Sequence, residues 1–428
     1  MNLERGPILR SFSWLAGGQV ARLVLGFGVS LLLIRSLGPE QFGLYSYVLA
    51  LAGLFASLPQ LGIHHILMRD LARSGEAVLE DLGTAFVLKV GGSVAALLLA
   101  SAAAYWTHPE DAVVRVGVAL VAGAFLFRGL DVIETLFLAN QRAGAVTGVR
   151  TLVVVVMSLV KVGLIARGAP VLHFFMAVAL DAALVALGFA ILHYRSGHRI
   201  QAWRFSSRRA YGLLSEGWPM LVSAAAMVVQ ARVDQVMIGD LLGRAALGQY
   251  SAALRLLEAM AFLPVALQTA YAPSLARAKQ ADAAVYRRVL LGFYRAMILP
   301  ALGLIAFLVW FGEDLVRVLF GAEYGEAGVL LGFFALRLFF TSVGLARTIF
   351  VTNERLFRFS MGTALAGVIV NIGLNLLWIP RFGLEGAVAA SLISFTVSGI
   401  ALDVFHPRAR LHVRTMVEAL LPPRRGTG

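Results

Sequence analysis

LGRAALGQYSAALRLLEAMAFLP, from Leu242 to Pro264, repeats a grammar that the chain uses once before, in LGPEQFGLYSYVLALAGLFASLP from Leu37 to Pro59. Leu37, Gly38, Gly43, Tyr45, Ser46 and Pro59 stand against Leu242, Gly243, Gly248, Tyr250, Ser251 and Pro264 at one constant offset of 205 positions. Six identities in register mark an internal duplication, and a period of that length decides an architecture before any local reading does. A weaker echo at an offset of 213 sets LFLANQR, Leu136 to Arg142, against IFVTNER, Ile349 to Arg355. The chain reads as two copies of one unit.

Composition says what surrounds those copies. With 59% hydrophobic residues, only 14% charged residues and a mean hydropathy of +0.81, a chain of 428 residues lacks the polar surface to cover a water-soluble globule. Apolar runs of about twenty residues, each long enough to cross hydrocarbon as a helix, recur along nearly the whole length. The period-two alternation of a membrane barrel is absent. The formal charge of +13 sits mainly between the runs, so it reads as a topology signal and not as a nucleic-acid footprint. The chain has no cysteine, which excludes disulfide and thiol chemistry.

Taken in order, the short basic start is followed by an uncleaved first span, about Ser11 to Ile34. Ser11, Gln19, Arg22, Gly26 and Ser30 draw a small and polar stripe along it, so one face meets something other than lipid. Further spans follow at Leu44–Met68, Thr84–Trp106, Val113–Ala139, Gly144–Ala166 and Val171–Tyr194. The basic stretch RSGHRIQAWRFSSRR, Arg195 to Arg209, then divides the halves. The pattern restarts at Leu213–Leu241, Leu247–Tyr271, Val289–Phe311, Val329–Val351, Phe359–Ile379 and Leu384–Phe405. The expectation is an all-α integral membrane protein of about twelve transmembrane helices in two six-helix lobes, related by a pseudo-twofold along the membrane normal. Residues 1–195 would form the N-terminal lobe, 196–210 a basic cytoplasmic linker, 211–405 the C-terminal lobe and 406–428 a cytoplasmic tail holding a short interfacial helix.

Arginine and lysine set the orientation. Alternate connections gather Arg5, Arg10, Arg69, Arg73, Arg142, Arg150, Arg195 and the linker and tail arginines on one side, while Arg35, Arg167, Arg244, Arg317 and Arg381 stay on the other. The ratio is roughly four to one, so the first side is cytoplasmic and both termini are inside. The outer connections are all short, which leaves no room for the extramembrane domain of a membrane glycosyltransferase or polymerase.

Ionisable residues well inside spans carry the functional signal, because a charge in hydrocarbon costs at least ~2.5 kcal/mol and persists only beside a partner or a wet cavity. Arg22, Lys89, Arg128, Lys161, Arg232, Arg255, Arg295, Arg337 and Arg347 are the cations, and Asp131, Glu134, Asp181, Asp234 and Glu258 the acids. Arg128 with Asp131, and Arg255 with Glu258, are three residues apart and neutralise each other on one helix face. Lys89 and Arg295 lie near predicted ends and snorkel. Arg22, Lys161 and Arg232 have no local counter-ion in the sequence. A wet pocket lined by guanidinium favours an anion, phosphate above all. Gln235, Tyr45 and Tyr250 either contact sugar hydroxyls or cap turns and anchor at the interface. Asn371 and Asn375 are expected to hydrogen-bond between helices. No nucleotide loop, nucleophile elbow or metal-ligand motif stands out, so the expectation is no catalytic residue, no metal and no cofactor.

The stretch ARVDQVMIGDLLGRAALGQYSAALRLLEAMAFLPVALQTAYAPSLA from Ala231 resembles the second-half signature of polysaccharide-export flippases. These are the O-antigen-flippase type within the multidrug, oligosaccharidyl-lipid and polysaccharide exporter superfamily. RSLGPEQFGLYSYVLALAGLFASLPQLGI from Arg35 is similar to the family's opening pattern, and NIGLNLLWIPRFGLEGAVAASLIS from Asn371 to its late one. The resemblance implies two six-helix lobes that alternate access and turn a polyprenyl-diphosphate-linked oligosaccharide from the cytoplasmic to the outer leaflet. Arg22, Arg232 and Arg255 match the family's cavity cations on the first, seventh and eighth spans; the second span has no equivalent, since Arg69 lies at its end. The expected substrate-binding set is Arg22, Arg232, Arg255, Lys161, Gln235 and Tyr250, with Asp131, Asp181, Asp234 and Glu258 as ion-coupling candidates. The expected partners are the lipid-linked glycan, the lipid bilayer, and a polysaccharide polymerase and glycosyltransferases of the same pathway, with no nucleic acid. The expected location is a bacterial or archaeal cytoplasmic membrane. Two alternatives stand beside the flippase: a cation-coupled antiporter of drugs or organic cations, and a non-transport component of polysaccharide assembly.

Overall fold

The computed structural model describes the backbone of residues 5–72 and 78–421 and, within these, the side chains of residue 22 and of residue 24 onward. Ser11 and Gln19 of the polar stripe, with Arg5, Arg10, Arg73, Arg424 and Arg425 of the charge tally, lie outside the described side chains. Every regular element among the described residues is helical.

The duplicated stretch is where the chain breaks its helices, and the backbone shows why it recurs. The first helix, Arg5–Gly53, is two helices meeting at Gly38, whose φ of 68° and ψ of 172° no residue with a Cβ adopts without strain. Gly243 has nearly the same conformation, φ 90° and ψ 176°, between Ser207–Leu242 and Arg244–Met260. Pro39 follows Gly38 with a fixed φ suited to a helix start. Twenty-one residues after the glycine, Pro59 and Pro264 mark a second break in each copy. In the first copy it is the short turn Leu58–Gln60, and in the second a loosened junction at Ala261 between Arg244–Met260 and Phe262–Ala281.

Nine helices among the described residues are long and apolar enough to cross a membrane, and the pair Val24–Gly53 and Leu58–Leu71, bent by 41°, makes a tenth. Gly383, at φ 58° and ψ −138°, divides Phe357–Thr396 into two spans. The break at Gly38 separates the first span from the second. Among the described residues twelve helical segments of spanning length result, in a multi-pass membrane protein.

The chain separates into two compact units, one up to Val233 and the other from Asp234 onward. In the first, Ala96, Ala100 and Ala104 form a fully buried small-residue stripe on Val78–Thr107, of the kind that lets helices approach closely where lipid supplies no hydrophobic drive. Gly92 of the same helix faces the Leu58 carbonyl, which a Cβ would meet at 2.4 Å. The basic stretch after Arg195 is docked: Arg204 N–H donates to the Leu79 carbonyl (3.1 Å), Ser206 N–H to Thr84 Oγ1 (3.0 Å), and Arg209 bridges Asp81 and Asp70, each at 2.6 Å. In the second unit, Tyr286, Leu290, Phe293, Tyr294, Met297 and Ile298 of Ala283–Phe320 pack against Val343, Ala346, Ile349 and Phe350 of Gly325–Glu354. Leu159, Trp310 and Ile369 stay largely exposed, as lipid-facing residues do.

Candidate functional site

In the first unit the intramembrane charges gather on four helices and on the opening span. Arg22 donates from Nη1 to Thr151 Oγ1 at 3.1 Å, and Arg150 and Glu134 act on it electrostatically. Arg150 holds Glu134 bidentately, through Nε at 3.0 Å and through Nη2, and stands 5.5 Å over the Phe189 ring. Asp131 is neighboured by Lys89, Arg128 and Arg150, and Asp181 by Lys161 and Arg150. The belt therefore holds Arg22, Lys89, Arg128, Arg150 and Lys161 against Asp131, Glu134 and Asp181, an excess of cations.

Two sequence expectations change here. Lys89 does not snorkel: it is only 4% exposed, turned inward to Asp131 and Glu134. Arg150 belongs to a span and not to a connection, because the helix Ala143–Ala166 begins two turns before it. Its signal was present, since residue 150 falls inside the predicted fifth span.

The second unit arranges its charge differently. Asp234 is fully buried on the helix that runs to Leu242. Its Oδ1 accepts the Gln235 N–H at 2.8 Å; its Oδ2 accepts the Tyr250 hydroxyl and, at 3.2 Å, the Ser391 hydroxyl. Arg337 Nη1 lies 3.8 Å away and its guanidinium stacks 5.1 Å from the Phe395 ring centroid. Asn371 Nδ2 reaches Ser391 Oγ at 3.5 Å, across the break at Gly383, as an interhelical bond; Asn375 Nδ2 donates instead to Asn371 Oδ1 at 3.2 Å, one turn away on the same helix, so of the two asparagines only Asn371 bonds between helices. Tyr250 and Gln235 are thereby walls of a buried carboxylate pocket, with the Tyr250 ring edge-on to Phe334. Charge this deep persists because hydrogen bonds fill the carboxylate's lone pairs and a guanidinium balances it.

The remaining candidates stand apart. Arg255 and Glu258 pair at 3.0 Å on an exposed helix face, and Arg232 is half-buried on Ser207–Leu242. Arg347 makes a second buried ion pair, with Nε and Nη2 each 2.7 Å from the Asp403 carboxylate, and Nη2 also donates to Thr363 Oγ1 at 3.0 Å. Asp403 went unread in the sequence because it closes the last span, 56 positions from its partner. Among the described residues no three of His, Cys, Asp and Glu cluster as metal ligands.

With this geometry in hand, comparison with known proteins is informative. The family model of a polysaccharide biosynthesis protein matches residues 8–279. The chain is similar to the probable flippase AglR of Haloferax volcanii, 24% identical over 414 residues that cover 92% of this chain and 82% of that protein. It is also similar to the putative O-antigen transporter of Shigella flexneri, 24% identical over 336 residues, covering 73% and 78% respectively. Among solved structures, an inward-facing multidrug resistance MATE family transporter of the MOP superfamily superposes with a TM-score of 0.69 at 14% identity, over 94% of this chain and 96% of that one. The lipid II flippase MurJ, in an inward closed conformation, superposes with a TM-score of 0.68 at 14% identity, over 95% and 90%. The fold is theirs, and since the family model matches more than half of its length, the chain belongs to the polysaccharide biosynthesis protein family.

Proposed function

We propose that the protein is a carrier, not an enzyme, that flips a polyprenyl-diphosphate-linked oligosaccharide across the cytoplasmic membrane of a bacterium or archaeon by alternating access around a hydrated cationic cavity. The observation that carries the proposal is the excess of arginine and lysine inside the spans of the first unit, where Arg22 is kept beside Arg150 through Thr151. A cargo with two phosphates answers that charge, and guanidinium forks suit its oxygens. Arg22, Lys161, Arg232 and Arg255 are the cargo-holding residues in this reading, with Glu258 tethering Arg255 until the diphosphate displaces it. Gln235 and Tyr250 serve the cargo indirectly, by fixing Asp234. Asp234, Asp131 and Asp181 are the coupling acids. Both termini are inside, and glycosyltransferases and a polymerase supply and consume the glycan on either side of the step.

The test uses a flippase-null strain carrying Arg22, Arg232 or Arg255 replaced by alanine or by lysine, scored for surface glycan at matched protein level. Loss of glycan with accumulation of the lipid-linked precursor is expected for each alanine variant, with partial recovery in lysine. Normal export in all three alanine variants rejects the cation cradle. Hypersensitivity to cationic dyes with normal glycan favours the drug antiporter instead, and altered chain length with normal flipping favours an assembly component.

A further inference from the structure

The helix Arg410–Leu420 follows the last span and is held on one side only. His412, Thr415, Met416 and Ala419 form its buried face. The Tyr294 hydroxyl donates to His412 Nδ1, the His412 Nε2–H donates to the Gly399 carbonyl at 3.0 Å, and the ring packs on Phe350. Gly399 lies in the widened turn Val397–Ala401. Glu418 is turned toward Arg287, 2.7 Å away. These contacts fix the rotation of the helix about its axis.

The opposite face is consequently fixed as well. Arg410, Arg414, Val417 and Leu421 recur at i, i+4, i+7 and i+11, one stripe down the helix. Val417 is 48% and Leu421 55% exposed, and Phe405 beside the stripe is 76% exposed. Arg408 adds a third exposed guanidinium in the connecting turn. Gly399, to which the helix is bonded, lies six residues before the last span ends at Phe405, roughly 9 Å of helix rise. The helix therefore lies beside the end of a membrane span, at the depth where headgroups meet acyl chains.

We propose that the outward stripe of Arg410–Leu420 is a docking surface for the anionic phospholipid headgroups of the surrounding leaflet. The arginines bind headgroup phosphates while Val417, Leu421 and Phe405 enter the acyl boundary. Charge complementarity selects the partner, since the stripe carries arginine and no acid, and its apolar residues suit a lipid surface better than an acidic soluble peptide. The proposal is independent of the cargo.

The chain's lack of cysteine makes the test direct. The full chain with Val417→Cys, nitroxide-labelled, is placed in phosphatidylcholine nanodiscs with increasing phosphatidylglycerol. Collision with oxygen should come to dominate over collision with a nickel chelate as phosphatidylglycerol rises. Adding Arg414→Gln should raise the phosphatidylglycerol fraction at half-change about fivefold. A label equally open to the nickel chelate at every lipid composition overturns the proposal, and a label shielded only by an added acidic protein assigns the face to a protein partner instead.

Discussion

The two copies share their turns and differ in their charges. Gly38 and Gly243 adopt the same positive-φ backbone, and Pro59 and Pro264 mark the same second break. Yet the residue that matches Asp234 at that offset is Val29, and the match of Arg255 is Ala50. Tyr45 and Tyr250 make the point on one pair. Tyr250 gives its hydroxyl to Asp234, whereas Tyr45 stacks on Phe175 with ring centroids 5.8 Å apart. The two copies thus agree where the backbone needs a special residue, and differ at Asp234 and Arg255, where charge enters a span.

The sharpest break in that comparison is energetic. In the second unit Arg347 and Asp403 are 11% and 1% exposed, so Arg347→Ala strands a buried carboxylate and should cost about 3–5 kcal/mol. In the first unit Arg150 holds Glu134 with its side chain 40% exposed, and if that face lines the hydrated cavity of the proposed function, screening by its water holds Arg150→Ala to about 1 kcal/mol or less. Unfolding of the two variants in matched lipid mixtures checks this. Equal losses would mean that the two pairs are buried alike.

The shared turns predict the opposite, equality. Gly38→Ala and Gly243→Ala each force a Cβ into a conformation reserved for glycine, costing about 1–3 kcal/mol apiece. A loss in only one copy would show that the repeat no longer has one structural meaning. Tyr250→Phe is a smaller change, about 1.5–2 kcal/mol for a hydrogen bond to a buried carboxylate, and it should also alter export if Asp234 is a coupling group. Stability and export both unchanged would remove Tyr250 from the pocket's function.

Most of the architecture was legible because it rests on local rules: span length, and the glycines and prolines that recur at one offset. The second echo shows the limit of reading by identity. Asn140, Gln141 and Arg142 align by sequence with Asn353, Glu354 and Arg355, but the left-handed residues that end the two helices are Gln141 at φ 58° and Arg355 at φ 56°. The same turn therefore sits one residue later in the second copy, and since neither residue is glycine, nothing in the letters marked it. The intrahelical pair Arg255–Glu258 was legible at i, i+3. Asp234 with Arg337, and Arg347 with Asp403, were not, because each joins helices whose rotation only packing decides.

The gentlest probe of the difference between the copies is pH, acting through His412. Burial of the imidazole, opposed by Asp403 and by the bond to the Gly399 carbonyl, pushes its pKa down to about 4. An unfolded chain takes up that proton near pH 6.5, while the folded protein refuses it until about pH 4. Stability from this residue is therefore complete above about pH 7 and declines as pH falls toward 4, by at most roughly 1.4 kcal/mol per unit, then levels off. The neutral ring is also the form that the geometry requires, since Nε2–H donates to Gly399 and Nδ1 must accept from Tyr294. Unfolding of the protein and of His412→Asn, compared from pH 7.5 to 4, should give a stability difference that shrinks as the medium acidifies. A constant difference across that range would mean that the helix Arg410–Leu420 is held by its apolar face alone.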